Sequence, residues 1–219
     1  MRGHNNTYNA ATIEAIVGTM FSGKSKELIE RGIRAKKYGG IQAYFFKPSV
    51  DTRDKEVASR SGISISAIIV KKADEILRYI PLNEDPAIIL IDEAQFFDDT
   101  ILYTVQYLKF KGYNVVVAGL DKDFRGQPFG VMAQLMALSD VAIRKIYPVC
   151  GIDGCVEDGS MPQRLRNKEP DSALNPTVII EGSRDEIEYL PVCRFHHQVP
   201  DLMEYLQNTL YSKLEKFMS

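Results

Sequence analysis

Apolar positions follow two rhythms over the first two thirds of the chain. TIEAIVG (12–18) is rich in β-formers and stops at a glycine. AYFFKP (43–48) is a second strand, closed by Pro48. PAIILIDE (86–93) is almost continuously apolar, as a parallel strand covered on both faces would be. NVVVAGL (114–120) is a further buried strand. Between these runs the period lengthens. Lys24 to Tyr38 carries Leu28, Ile29, Ile33 and Ala35 at helical spacing and ends at Gly39-Gly40. DDTILYTVQYLKFKG (98–112) has acids in its first turn, Ile101, Leu102, Val105 and Leu108 on one face, and lysines before Gly112. Strands alternating with helices predict an α/β core with a mainly parallel sheet and function at the carboxyl ends of its strands.

The character changes after Tyr147. Glycine, proline, charge and cysteine intermingle to residue 200, with one β-like run, PTVII (176–180). Residues 201–217 carry Leu202, Tyr205, Leu206, Leu210, Leu214 and Phe217, the pattern of an amphipathic helix. The expected layout is a loose N-terminal tail over 1–12, a core domain over 13–146, a small domain over 147–200 and a C-terminal helix over 201–219.

Composition narrows the function classes. The 219 residues are 45% apolar and 26% charged, as in an ordinary globular protein. A net charge of −2 offers no general attraction to nucleic acid or an anionic membrane, so neither is expected as a partner. No apolar run reaches the length of a membrane span, and MRGHNNTYNAAT at the start lacks the apolar centre of a signal peptide. The three cysteines all lie between 150 and 193, which fits a reducing cytoplasm better than a disulfide framework.

One stretch carries strong chemistry. Gly18-Thr19-Met20-Phe21-Ser22-Gly23-Lys24-Ser25 satisfies G-x-x-x-x-G-K-[ST] between a predicted strand and a predicted helix. Glycines let successive N–H groups turn onto phosphate oxygens, and the helix adds its positive end. Lys24 is expected to reach the β- and γ-phosphates of a nucleoside triphosphate, and the Ser25 hydroxyl to ligate Mg²⁺. Asp92, after five apolar residues, is expected to hold the same metal. Glu93 follows. In P-loop proteins an acid there serves a hydrolase as well as a kinase, so it does not separate the two.

Three more stretches point to the phosphate acceptor: VDTRDKEVASRSG (50–62), AGLDKDFRGQPFG (118–130) and RDEIEYLPVCRFHH (184–197). With MFSGKS and IDEAQFF, their order and spacing resemble the cytosolic, zinc-containing type II thymidine kinases over about residues 13 to 197. The resemblance implies a RecA-like P-loop NTPase core with a small zinc-ribbon and lasso domain. It implies transfer of the γ-phosphoryl group of ATP to the 5′-hydroxyl of thymidine or deoxyuridine, in the cytoplasm, by a homo-tetramer. Asp51, Thr52, Arg53 and Gln95 then join Gly18–Ser25 and Asp92 around ATP, and Glu93 matches the general base. Phe124 matches an aromatic that packs on the base, and Met20 a residue near its 5-position. For both residues the plain alternative is core packing. Val178, Ile179, Ile180 and Glu181 fall in the lasso, which reads the pyrimidine through backbone groups, and Tyr189 matches its tyrosine.

Departures from the family concentrate in the small domain. Tyr147 stands where the first zinc cysteine would be. A structural zinc site would therefore use Cys150, Cys155, Cys193 and His196, with His197 an alternative ligand. The competing expectation is ordinary reduced cysteines without metal. Pro162 replaces a hydroxyl residue near the base, and the segment from Gly182 to Tyr189 is about two residues longer than in the family. A P-loop ATPase or nucleotide-sensing interaction protein with a degenerate nucleoside site is accordingly the second functional expectation.

Overall fold

The computed structural model describes residues 11–49, 56–58, 64–81, 87–141, 143–179 and 187–218. Asp51, Thr52, Arg53, Ile180, Glu181 and most of the N-terminal tail lie outside these residues. Contacts group the chain into two compact units. The first takes the described residues up to Asp121 together with Pro128–Ile146. The second takes Lys122–Gln127 and the described residues from Tyr147 onward.

The first unit is built on six parallel strands: β1 (Ile13–Val17), β2 (Gln42–Pro48), β5 (Ile68–Val70), β6 (Ala87–Ile91), β7 (Asn114–Gly119) and β8 (Arg144–Lys145). They lie in the order β5-β2-β6-β7-β1-β8. The predicted strands are therefore present with ends shifted by a residue or two, while β5 and β8 are too short to leave a pattern. A separate antiparallel pair, β3 (Glu56–Ala58) and β4 (Ser64–Ser66), precedes β5.

Near-continuous apolarity has a simple cause, because alternate residues of each strand feed two different cores. Val115 and Val117 of β7 join Ile89 and Ile91 of β6 under helices α2 (Thr100–Phe110) and α3 (Met132–Ala137). Val116 and Ala118 join Leu90 and Ile16 against Leu28 and Ile29 of α1 (Lys24–Gly39). Burial on both faces locks the register and with it the ends of the strands, where the polar residues sit.

The second unit has an antiparallel sheet, β10-β9-β11, of β9 (Met161–Arg166), β10 (Glu169–Pro170) and β11 (Ile187–Val192). Asn167 and Lys168 join β9 to β10 with φ of 52° and 68°, the positive values that a two-residue hairpin requires. Helix α4 (Leu202–Met218) closes the unit and leaves Leu206, Leu210 and Leu214 exposed. The β-like PTVII run is not a strand over its described residues 176–179. One arginine side chain, that of Arg164, rather than a neighbouring strand takes its first carbonyls, at Pro176 and Thr177.

Candidate functional site

Strand β1 runs directly into the glycine-rich turn. Gly18 has φ of 153°, and a Cβ there would stand 1.9 Å from the Ile146 carbonyl oxygen, so conformation and space both demand glycine. The turn passes through positive φ again at Phe21 and Gly23, and Gly23 caps α1. The first turn of α1 thus points its free N–H groups into the loop. Lys24 is 8% exposed, and its Nζ donates to the Thr19 carbonyl at 2.7 Å and to Ser22 Oγ at 3.5 Å. Burial lowers the Lys24 pKa, while the charges of Glu93, Asp92 and Asp121 oppose that shift.

Those three acids follow the ends of β6 and β7; β7 borders β1 in the sheet and β6 lies next beyond it. The Asp92 amide continues the ladder by donating to the Phe46 carbonyl at 2.9 Å. Its carboxyl is pushed up to about 6, first by burial and then by the charge of Glu93. The Ser25 hydroxyl, the Glu93 amide and Lys24 pull it the other way. Ser25 and Asp92 are oxygen donors in direct contact, the hard ligand set that suits Mg²⁺. Asp121 is 8% exposed, with Lys145 Nζ at 4.0 Å.

Glu93 is held in a left-handed conformation, φ 50° and ψ 40°. Gln95 fixes its side chain: Nε2 donates to Glu93 Oε2 at 2.5 Å, while Oε1 accepts the Leu120 N–H at 3.1 Å. Gly130 packs so close that a Cβ would lie 2.1 Å from the Gln95 carbonyl oxygen. Gln95, expected among the ATP contacts, thus ties the Glu93 carboxylate to the end of β7.

In the second unit Cys150, Cys155, Cys193 and His196 present ligand atoms within 4.8 Å of one another. His196 Nδ1 lies 3.5 Å from Cys150 Sγ and 3.3 Å from Cys193 Sγ, and Cys155 Sγ is 3.9 Å from Cys193 Sγ. Zn–S bonds of about 2.3 Å in a tetrahedron space sulfur ligands about 3.8 Å apart, so this Cys₃His group fits a structural zinc ion. Burial alone would raise the Cys150 thiol, but the Cys193 and Ile152 amides, with His196 and Cys155, bring it down to about 6. That favours the thiolate a metal needs. His197, the alternative ligand, is engaged elsewhere: its Nε2–H donates to the Phe124 carbonyl at 2.9 Å.

Against this geometry, a family model described as thymidine kinase matches residues 11–197, well over half of the chain. The chain belongs to the thymidine kinase family. Membership makes it a kinase-type transferase that uses ATP and acts on a small molecule. Among the described residues no helix is long and apolar enough to cross a membrane.

The acceptor candidates fall in different surroundings. Met20 is half-buried within the Gly18–Ser25 turn. Phe124 is 3% exposed, with the Arg164 guanidinium 3.4 Å from its ring centroid and that of Arg125 4.6 Å away. Val178 is exposed, Ile179 and Tyr189 are half-buried, and Tyr189 pairs with Arg164 across β9 and β11. Pro162 faces Pro191 in the same ladder. Sequence reasoning missed Arg125, Arg164 and Asp121. Nothing in MPQRLR distinguishes a buried arginine from a solvated one, whereas Asp121, just past a buried strand as Asp92 is, could have been found by the same reasoning.

Proposed function

We propose that this member of the family transfers the γ-phosphoryl group of ATP to the 5′-hydroxyl of thymidine or deoxyuridine, yielding the 5′-monophosphate for DNA synthesis. The observation that carries the reading is the cluster of buried Lys24 and Asp92 with half-buried Ser25 and Glu93, with Gln95 orienting the glutamate. Gly18 to Ser25 cradle the phosphates through backbone N–H groups, and Lys24 supplies positive charge for the transition state. Asp51, Thr52 and Arg53 complete the ATP site on the strength of the resemblance. Mg²⁺, when bound through Ser25 and Asp92, neutralises charge on the transferring phosphate. Glu93 takes the proton of the 5′-hydroxyl, since an alcohol attacks poorly until that proton begins to leave.

On the acceptor side, Met20, Phe124, Tyr189 and the backbone of Val178, Ile179, Ile180 and Glu181 recognise the base. Structural zinc on Cys150, Cys155, Cys193 and His196 anchors the end of β11. Assembly into a homo-tetramer and a place in the cytoplasm rest on the family resemblance; light scattering tests the first.

Incubation with ATP, Mg²⁺ and a panel of nucleosides, followed by chromatography, tests the reaction. Thymidine 5′-monophosphate is the expected product, and Glu93→Gln is expected to lower kcat by about 10²–10⁴-fold while ATP still binds. ADP without any nucleoside monophosphate would overturn the reading in favour of an ATPase or nucleotide sensor. The covered ring of Phe124 and the proline at 162 are the observations that favour that second reading.

A further inference from the structure

Two buried arginines of the second unit have no part in the chemistry just described. Arg164 is fully buried and Arg125 is 6% exposed. A buried guanidinium is costly unless its donors are satisfied, so its partners show what it is kept for. Arg164 pairs through Nε with Asp171 Oδ2 at 2.7 Å. Its Nη1 donates to the carbonyls of Pro176 at 2.8 Å and Thr177 at 3.1 Å. Arg125 donates through Nε to the Ala173 carbonyl at 2.7 Å and through Nη2 to the Asn175 carbonyl at 2.5 Å. Its Nη1 donates to Asp123 Oδ2 at 3.0 Å and to the Thr177 hydroxyl. Between them the two side chains hold four backbone carbonyls and one hydroxyl over residues 173–177.

This segment is irregular, so it has no strand partner to define its path. The arginine forks replace the missing ladder, with donors in fixed planar geometry. Val178 and Ile179 follow directly. The Arg164 guanidinium also lies on the ring of Phe124, 3.4 Å from its centroid. One buried cation therefore sets both the aromatic ring and the start of the segment that reads the base.

We propose that Arg164 and Arg125 are positioning residues for nucleoside recognition: they hold segment 173–177 and the Phe124 ring in one fixed arrangement, so that Val178 and Ile179 leave from a rigid anchor. This rests on the assignment of Phe124 and the lasso to the nucleoside. Neither arginine touches the reacting atoms, so their loss falls on nucleoside affinity rather than on the chemical step.

The test is steady-state kinetics on Arg164→Lys and Arg125→Lys, which keep the charge and lose the fork. Thr177→Val, which removes one acceptor, is a milder third variant should either lysine form fail to fold. KM for thymidine is expected to rise at least about tenfold in the lysine variants and about threefold in Thr177→Val, as displaced positioning groups do. KM for ATP should stay near that of the parent protein, while the melting temperature falls in the lysine variants because buried carbonyls lose their donors. Unchanged KM for thymidine in folded variants would overturn the proposal. So would equal losses for both substrates, since that marks a purely structural role. A parent protein that phosphorylates no nucleoside would instead refute the assigned reaction and remove the basis for this positioning role.

Discussion

Both units bury positive charge, and they do so differently. Lys24 lies at the edge of a large apolar sheet, among Asp92, Glu93 and Asp121, and its own ammonium hydrogen bonds go to the neighbouring loop. Arg125 and Arg164 each face a carboxylate, Asp123 and Asp171, and donate to backbone carbonyls as well. The first unit has an apolar core on each face of its sheet. The second centres on Cys150, Val192 and Cys193, too little apolar surface to fix long loops. A large core can hold charged groups at its strand ends as a by-product of strand register. A small one has to use charge and sulfur as its own fasteners.

The sharpest way to break this contrast is Gly18→Val. The new side chain would collide with the Ile146 carbonyl in a conformation that valine does not adopt. ATP affinity should fall by about 10³-fold or more, because the phosphate cradle and the helix end act together there. Calorimetric titration with a non-hydrolysable ATP analogue checks this, and zinc content should not change. A variant that retained ATP affinity would show that the turn is not held by the Gly18 contact.

Cys155→Ser addresses the other unit. Losing one ligand of four should weaken zinc binding by about 10²-fold or more, by analogy with the strong dependence of such sites on their ligands. Metal analysis after dialysis against a chelator would detect it, with ATP affinity expected within about twofold of the parent. If zinc stayed bound at full stoichiometry, Cys155 would not be a ligand, and the substitution at Tyr147 would need another explanation.

Asp171 probes the ion pairing of the second unit directly. Burial works against its charged form, but Arg166, Asn175 and Arg164 hold its carboxyl below the usual carboxylate range. Its folded pKa is depressed, so its contribution to stability is complete above the unfolded value near ~3.9 and is lost as pH falls through the lower folded value. Asp171→Asn should cost about 3–5 kcal/mol near neutral pH, since it leaves Arg164 buried without its counter-charge. The gap between variant and parent should narrow in acid, as urea denaturation at a series of pH values would record. A gap constant down to the most acid condition would mean that the carboxylate charge is not what holds Arg164.

Much of the first unit was legible because hydrophobic rhythm and glycine placement are local signals. TIEAIVG, PAIILIDE and NVVVAGL read as strands and are strands, and Gly18 to Ser25, read as a phosphate loop, forms a glycine-rich turn between β1 and α1. The choice of Cys150, Cys155, Cys193 and His196 as a group was also readable from spacing and the family pattern, and the four converge. Other features depended on contacts between residues far apart in the chain. MPQRLR is a central strand although Gln163 and Arg164 are buried, and PTVI looks like a strand yet is not one. No local rule assigns the Pro176 and Thr177 carbonyls to a guanidinium twelve or thirteen positions away. Nor could sequence tell that Gln95 orients Glu93, or that His197 would turn to the Phe124 carbonyl and leave the cysteine cluster to His196. Apolar burial is additive along the chain and therefore leaves a pattern, whereas a hydrogen bond or an ion pair is a property of two distant residues and exists only once the fold has brought them together.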